Sequence, residues 1–127
     1  MLRYTLNPNP KISVKVYGRN LRVSSKSSAV VCRKIRGMHL EKAKKLLENL
    51  VSQKQSLNGK YYTNSCKELL NLLNQAENNA EFKGLDTSKM IVHASAHQSF
   101  SYFRPRRFKM RRQRRKLANL QVVLIQQ

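Results

Sequence analysis

The chain has no tryptophan, two cysteines, three prolines and four glycines, and acidic side chains are scarce: six Asp and Glu stand against 26 Lys and Arg in 127 residues. The two cysteines, Cys32 and Cys66, lie far apart and match no metal or redox spacing, so they read as reduced thiols packed as small apolar residues, as in a cytosolic protein. The shortage of carboxylates weighs against metal-dependent nuclease chemistry, which wants paired acids. Glu41, Glu48, Glu68, Glu77, Glu81 and Asp86 all fall mid-chain, mostly on the outward faces of expected helices. With no Gly-rich phosphate loop and no nucleophile motif, the reading is that this is not an enzyme and uses no cofactor. His93 and His97 are four apart on an expected strand, with no third ligand nearby, which argues against metal.

Long apolar runs are also missing. The longest, "VVLI" at Val122 to Ile125, is too short to cross a bilayer, so no membrane insertion is expected. Leu2 is followed at once by Arg3 and Tyr4 rather than by an apolar stretch, which argues against a secretory signal. The acid-free, Ser- and Arg-containing N-terminus raises a transit peptide, but Pro8, Pro10 and the alternating "KISVKVYG" oppose an amphipathic presequence helix.

What the chain does have is charge of one sign, a formal +20. A compact body carrying it repels itself unless a polyanion neutralises it. Nucleic acid fits best, because each phosphate contact releases condensed counterions. The densest stretch is "FRPRRFKMRRQRRK", in which Arg104, Arg106, Arg107, Lys109, Arg111, Arg112, Arg114, Arg115 and Lys116 are expected to bind RNA. Phe103 and Phe108 within it are candidates for stacking on unpaired bases. Phe100 and Tyr102, two apart on one strand face, read equally as stacking groups or core. A second cluster, Arg19, Arg22, Lys26, Arg33, Lys34 and Arg36, reads as a further phosphate-contacting surface.

Hydrophobic periodicity gives one α+β domain over 1–127. Ile12, Val14 and Val16 at period two predict a strand, with a turn at Gly18 to Asn20. Serines 24 to 28 offer caps for a short helix in which Val31 and Ile35 share a face and Gly37 supplies the stop. Leu40, Ala43, Leu47, Leu50 and Val51 mark a second helix, with Lys44, Lys45 and Glu48 outward and Glu41 placed to pair with Lys45. Asn58-Gly59 is a turn, and Ser65 with Glu68 reads as a capping box opening a third helix along Leu69, Leu73, Ala76 and Ala80, ended by Gly84. "MIVHASAHQSFSYF" and "LQVVLIQ" predict two closing strands. The order predicts three helices on one face of a small antiparallel sheet. For Arg106 to Ala118 local propensity favours a helix, but like charges at i, i+4 and the lack of an apolar stripe oppose it. Its place between two strands makes it the end of a hairpin arm, 99–118, mobile until phosphates neutralise it.

Three strings, "GRNLRV", "IRGMHLEKAKKLLENLVSQKQ" and "NQAENNAEFKGLD", in this order, resemble the universal tunnel-lining large-subunit ribosomal protein family, numbered twenty-two in bacteria and seventeen in eukaryotes, in its eukaryotic or archaeal form. The likeness runs from Arg3 to Asp86 and more loosely beyond. It implies a β-α-α-α-β-β domain with a long basic β-hairpin extension, Arg104 to Lys116 being the distal part. It implies a structural role in the large ribosomal subunit, with rRNA, neighbouring ribosomal proteins and the nascent polypeptide as partners and no homo-oligomer. It also implies a cytoplasmic location, with nuclear or nucleolar transit during assembly if the source is eukaryotic. The chain departs from the pattern where a longer insertion is replaced by "SLNGKYYTN", which implies a compacted ribosome, and where the arm tip lacks a glycine. The rival reading from the residues alone is a free-standing basic DNA- or RNA-binding module, architectural or regulatory.

Overall fold

A computed structural model describes residues 3–127, so Leu2, used above against a secretory signal, lies outside the described residues. The order is β1 (Ser13–Leu21), α1 (Ser25–Ile35), α2 (Leu40–Val51), α3 (Thr63–Phe82), a one-turn 3-10 helix (Thr87–Lys89), β2 (Met90–Gln98), β3 (Tyr102–Phe103), β4 (Arg114–Arg115) and β5 (Ala118–Gln126). The main sheet is antiparallel in the order β1-β5-β2, and β3 pairs with β4 as a separate two-stranded arm. The α+β class, the three helices and the small antiparallel sheet are as the periodicity predicts.

Strand alternation buries Val14 and Val16 of β1, Met90, Val92 and Ala94 of β2, and Leu120, Val122 and Leu124 of β5 against the helices. The helices answer with Val31 and Ile35, with Leu40, Ala43, Leu47 and Leu50, and with Leu69, Leu73, Ala76 and Ala80, all fully buried. Val51 is only half-buried. Central in the sheet, β5 is paired along both edges and also buried on both faces, which is why its second half reads as the continuous apolar run Val122 to Ile125. Its second face is roofed by the N-terminal segment: Thr5 N–H donates to Gln121 Oε1 at 3.0 Å, Gln121 Nε2 donates to the Arg3 carbonyl at 2.7 Å, and Tyr4 packs edge-on against Tyr17.

Four local expectations are corrected. Ile12 precedes β1 and is 44% exposed, so the apolar face begins at Val14. The predicted turn at Gly18 to Asn20 is a bulge within β1, where the register slips between Gly18 and Leu21. Asn20 takes φ 53° there, and its N–H donates to Asn119 Oδ1 at 2.9 Å. Gly18 is instead a site of close packing, since a Cβ would lie 2.6 Å from Leu21 Cδ1 and 3.1 Å from Leu72 Cδ1 and both side chains would have to shift. The capping box at Ser65 does not form: α3 begins at Thr63, its N-cap Tyr62 is left-handed, and Ser65 is buried with its hydroxyl receiving a hydrogen bond from Ser28 Oγ at 3.1 Å. Finally, Lys44 does not point away; it pairs with Glu77 of α3, tying the two helices, while no Glu41–Lys45 ion pair is found among the described residues.

The remaining turns are as expected. Ser24 caps α1, Gly37 (φ 81°) stops it and Gly84 (φ 70°) follows α3. Asn58 and Gly59 both have positive φ and close a tight hairpin in which Leu57 and Lys60 exchange backbone hydrogen bonds.

Candidate nucleic-acid interface

The arm leaves the sheet where β2 ends and returns where β5 begins. Ser99 N–H donates to the Leu117 carbonyl at 3.1 Å, Tyr102 faces Arg115, Phe103 faces Arg114, and Arg104 N–H donates to the Gln113 carbonyl at 2.9 Å. Beyond that rung the chain closes through successive turns, Arg107 N–H to Pro105, Met110 N–H to Arg107 and Gln113 N–H to Met110, with Arg112 at φ 65°. No helix forms over Arg106 to Ala118, so strand context and charge repulsion override propensity.

Of the nine arm cations, Arg106, Arg107, Lys109, Arg111, Arg112, Arg114 and Lys116 are exposed, and Arg104 and Arg115 are half-buried at the base. No carboxylate lies in 99–118. Antiparallel register sets two of these cations beside aromatics: the Arg114 guanidinium lies 5.0 Å from the Phe103 ring centre and Arg115 lies 5.9 Å from that of Tyr102. A hydrogen bond from Arg115, with Arg22 nearby, holds the Tyr102 hydroxyl below its ordinary pKa. Phe103 is 67% exposed and Phe108 92%. Phe100 and Tyr102 are exposed too, which removes the core-packing alternative for them.

The second basic cluster is spread over several environments. Arg22 joins Arg104, Arg114, Arg115 and Lys116 around a cleft of about 400 Å³ at the arm's base, which is also lined by Ser24, Ser27, Thr63 and Asn64. Arg33 and Lys34 occupy the last turn of α1, where cations complement the helix dipole, beside Leu57 and Asn58. The Arg36 guanidinium donates to the Ala94 carbonyl at 3.0 Å. Arg19 and Lys26 are exposed. The convergence of the α1 and α3 starts on the arm's base was missed from sequence, because the misplaced Ser65 cap hid where α3 begins.

His93 and His97 share a strand face without a third ligand, and no group of three metal-ligating side chains occurs among the described residues. Burial and the Arg36 charge push the His93 pKa down. Burial raises the thiol pKa values to about 12 for Cys32 and about 11 for Cys66, so neither is a nucleophile at neutral pH. No helix among the described residues is long and apolar enough to cross a membrane.

A small α+β domain whose densest charge sits on an exposed, acid-free hairpin defines a class of basic, arm-bearing proteins. Residues 16–124 match the family model for ribosomal protein L22p/L17e, and the chain belongs to that family, one of structural proteins rather than enzymes. Among its relatives, the large ribosomal subunit protein uL22 of Pectinaria gouldii is 36% identical over 114 residues, covering 72% of this chain and 62% of its own length. The uL22 of Methanocaldococcus jannaschii is 30% identical over 129 residues, covering 84% and 83%, and that of Methanocella arvoryzae 33% over 113 residues, covering 73% and 74%. The chain thus spans under two thirds of the Pectinaria protein's length and most of the Methanocaldococcus one's.

Proposed function

We propose that this chain is a structural constituent of the large ribosomal subunit in the cytoplasm, that it binds rRNA through its arm and body cations, and that the arm helps line the nascent-peptide exit tunnel. The observation that carries the reading is the arm itself. Seven exposed cations on a narrow, carboxylate-free hairpin, in a chain of the L22p/L17e family, suit insertion between close-packed RNA segments that the helical body is too wide to enter. The mechanism is electrostatic: Arg and Lys neutralise phosphates so that RNA segments approach one another, and the core anchors the arm. Arg106 to Arg112 at the tip contact rRNA and the tunnel, Phe108 stacks on an unpaired base, and Arg19, Lys26, Arg33 and Lys34 hold rRNA at the body.

Sucrose-gradient fractionation in moderate salt tests this. The chain is expected to travel with large subunits; recovery mainly in the free pool would favour a free-standing nucleic-acid-binding module instead.

A further inference from the structure

We propose that the cleft at the arm's base is a discrete seat for one RNA backbone phosphodiester, which bridges arm and body and so fixes the direction in which the arm points. The proposal rests on the rRNA-binding reading above and assigns a separate role to one part of that surface.

The cleft brings like charges face to face. Arg22 stands on the body just after β1, while Arg104, Arg114, Arg115 and Lys116 stand on the arm, and no carboxylate lines the space between them. Unfilled, such an arrangement pushes arm and body apart; one anion between them turns repulsion into two attractions. The partial burial of two of these arginines points the same way. Arg104 Nε and Arg115 Nε are screened from solvent and have no hydrogen-bond partner among the described residues, although Arg104 Nη1 is held by Gln113 Oε1 at 2.9 Å. Both side chains are half-buried at the arm's base, where water screens their charge less than at the tip, and the two non-bridging oxygens of a phosphodiester accept from a guanidinium in the geometry that arginine favours.

The start of α3 adds a third element. Its N-cap, Tyr62, makes no side-chain hydrogen bond, and Thr63 and Asn64 of its first turn line the cleft. The uncapped first turn, the positive end of a 20-residue helix, therefore borders the same space as the arginines. At about 400 Å³ and widely open to solvent, the cleft admits a phosphodiester while its strand runs across it.

The test uses the full chain, 15N-labelled, with spin labels at Met110→Cys on the arm and Glu48→Cys on α2; Cys32 and Cys66 are buried and stay unlabelled. Inorganic phosphate replaces chloride at constant ionic strength in one arm of the experiment, and a short single-stranded RNA is added in the other. Both are expected to shift the Thr63, Asn64 and Ser65 amides saturably and to narrow the label-to-label distance distribution. Arg22→Gln, and independently Lys116→Gln, should weaken these responses roughly tenfold while amides elsewhere keep their positions. RNA binding that keeps its salt dependence but leaves these amides and the distance unchanged would overturn the seat and spare the RNA-binding reading. A response to phosphate alone would make the cleft a free-anion site and overturn the proposal. Absence of RNA binding altogether would remove the underlying reading, and the seat with it.

Discussion

Replacing Arg106, Arg107, Arg111 and Arg112 together by Gln removes four exposed charges from the arm tip and touches nothing in the core. Each phosphate contact contributes about 0.7 to the salt slope on single-stranded RNA and about 0.9 on a duplex, so four lost contacts make log K against log salt shallower by about 3 to 4. Over a fourfold rise in salt the wild-type chain should then lose roughly a hundredfold more affinity than the variant. Fluorescence anisotropy with a large-subunit rRNA fragment, repeated from low to moderate salt, reads this directly. Thermal unfolding supplies the control, because surface substitutions of this kind usually move stability by less than about 0.5 kcal/mol. A slope that changes by less than about one would mean that the tip charges do not meet phosphates, and the electrostatic account of the arm would be wrong.

Other consequences concern the body. Leu47→Ala, at a fully buried α2 position facing the core, should cost about 2–5 kcal/mol in urea unfolding, and a loss below about 1 kcal/mol would contradict the packing described. Gly18→Val should cost about 1–3 kcal/mol, because the new side chain meets Leu21 and Leu72 where β1 lies under α3; an unchanged midpoint would show that this approach is loose. Because the folded state lowers the His93 pKa below its ordinary 6.5, the unfolded chain binds the proton more readily. The stability contribution is therefore complete above pH 6.5 and declines as pH falls towards and through the lower folded value. His93→Gln should flatten urea midpoints across that window, and an unaltered pH dependence would assign it to other groups. Cys32 and Cys66 should react with a thiol reagent only as fast as the chain opens, so labelling faster than unfolding would refute their burial.

The helices were legible because each carries one apolar stripe at helical spacing, and those stripes are the buried residues. Central β5 was legible for a different reason, its continuous run Val122 to Ile125 reflecting cover on both faces. The source of that second cover was not, because Arg3 to Pro10 has no periodicity and its first residues, Arg3 and Thr5, are held by long-range bonds to Gln121. Gly18 misled because a glycine inside a strand signals either a turn or a close approach, and only the Leu72 contact decides. Ser65 misled for a similar reason: the capping-box letters are present, but burial against Ser28 takes the hydroxyl elsewhere. The arm's charge was plain from composition and its hairpin form from its place between strands. The cleft at its base was invisible, since Arg22, Asn64 and Lys116 are distant in sequence and meet only through the fold.

The most direct measurement of the central claim is a cryo-electron-microscopy map of intact large subunits from the cell that makes this chain. The account predicts density for the α+β body on the subunit, with residues 104–116 running between rRNA backbones to the tunnel wall and a phosphate at the cleft beside Arg22. Subunits without the chain, or with the arm lying on the solvent side away from RNA, would contradict it.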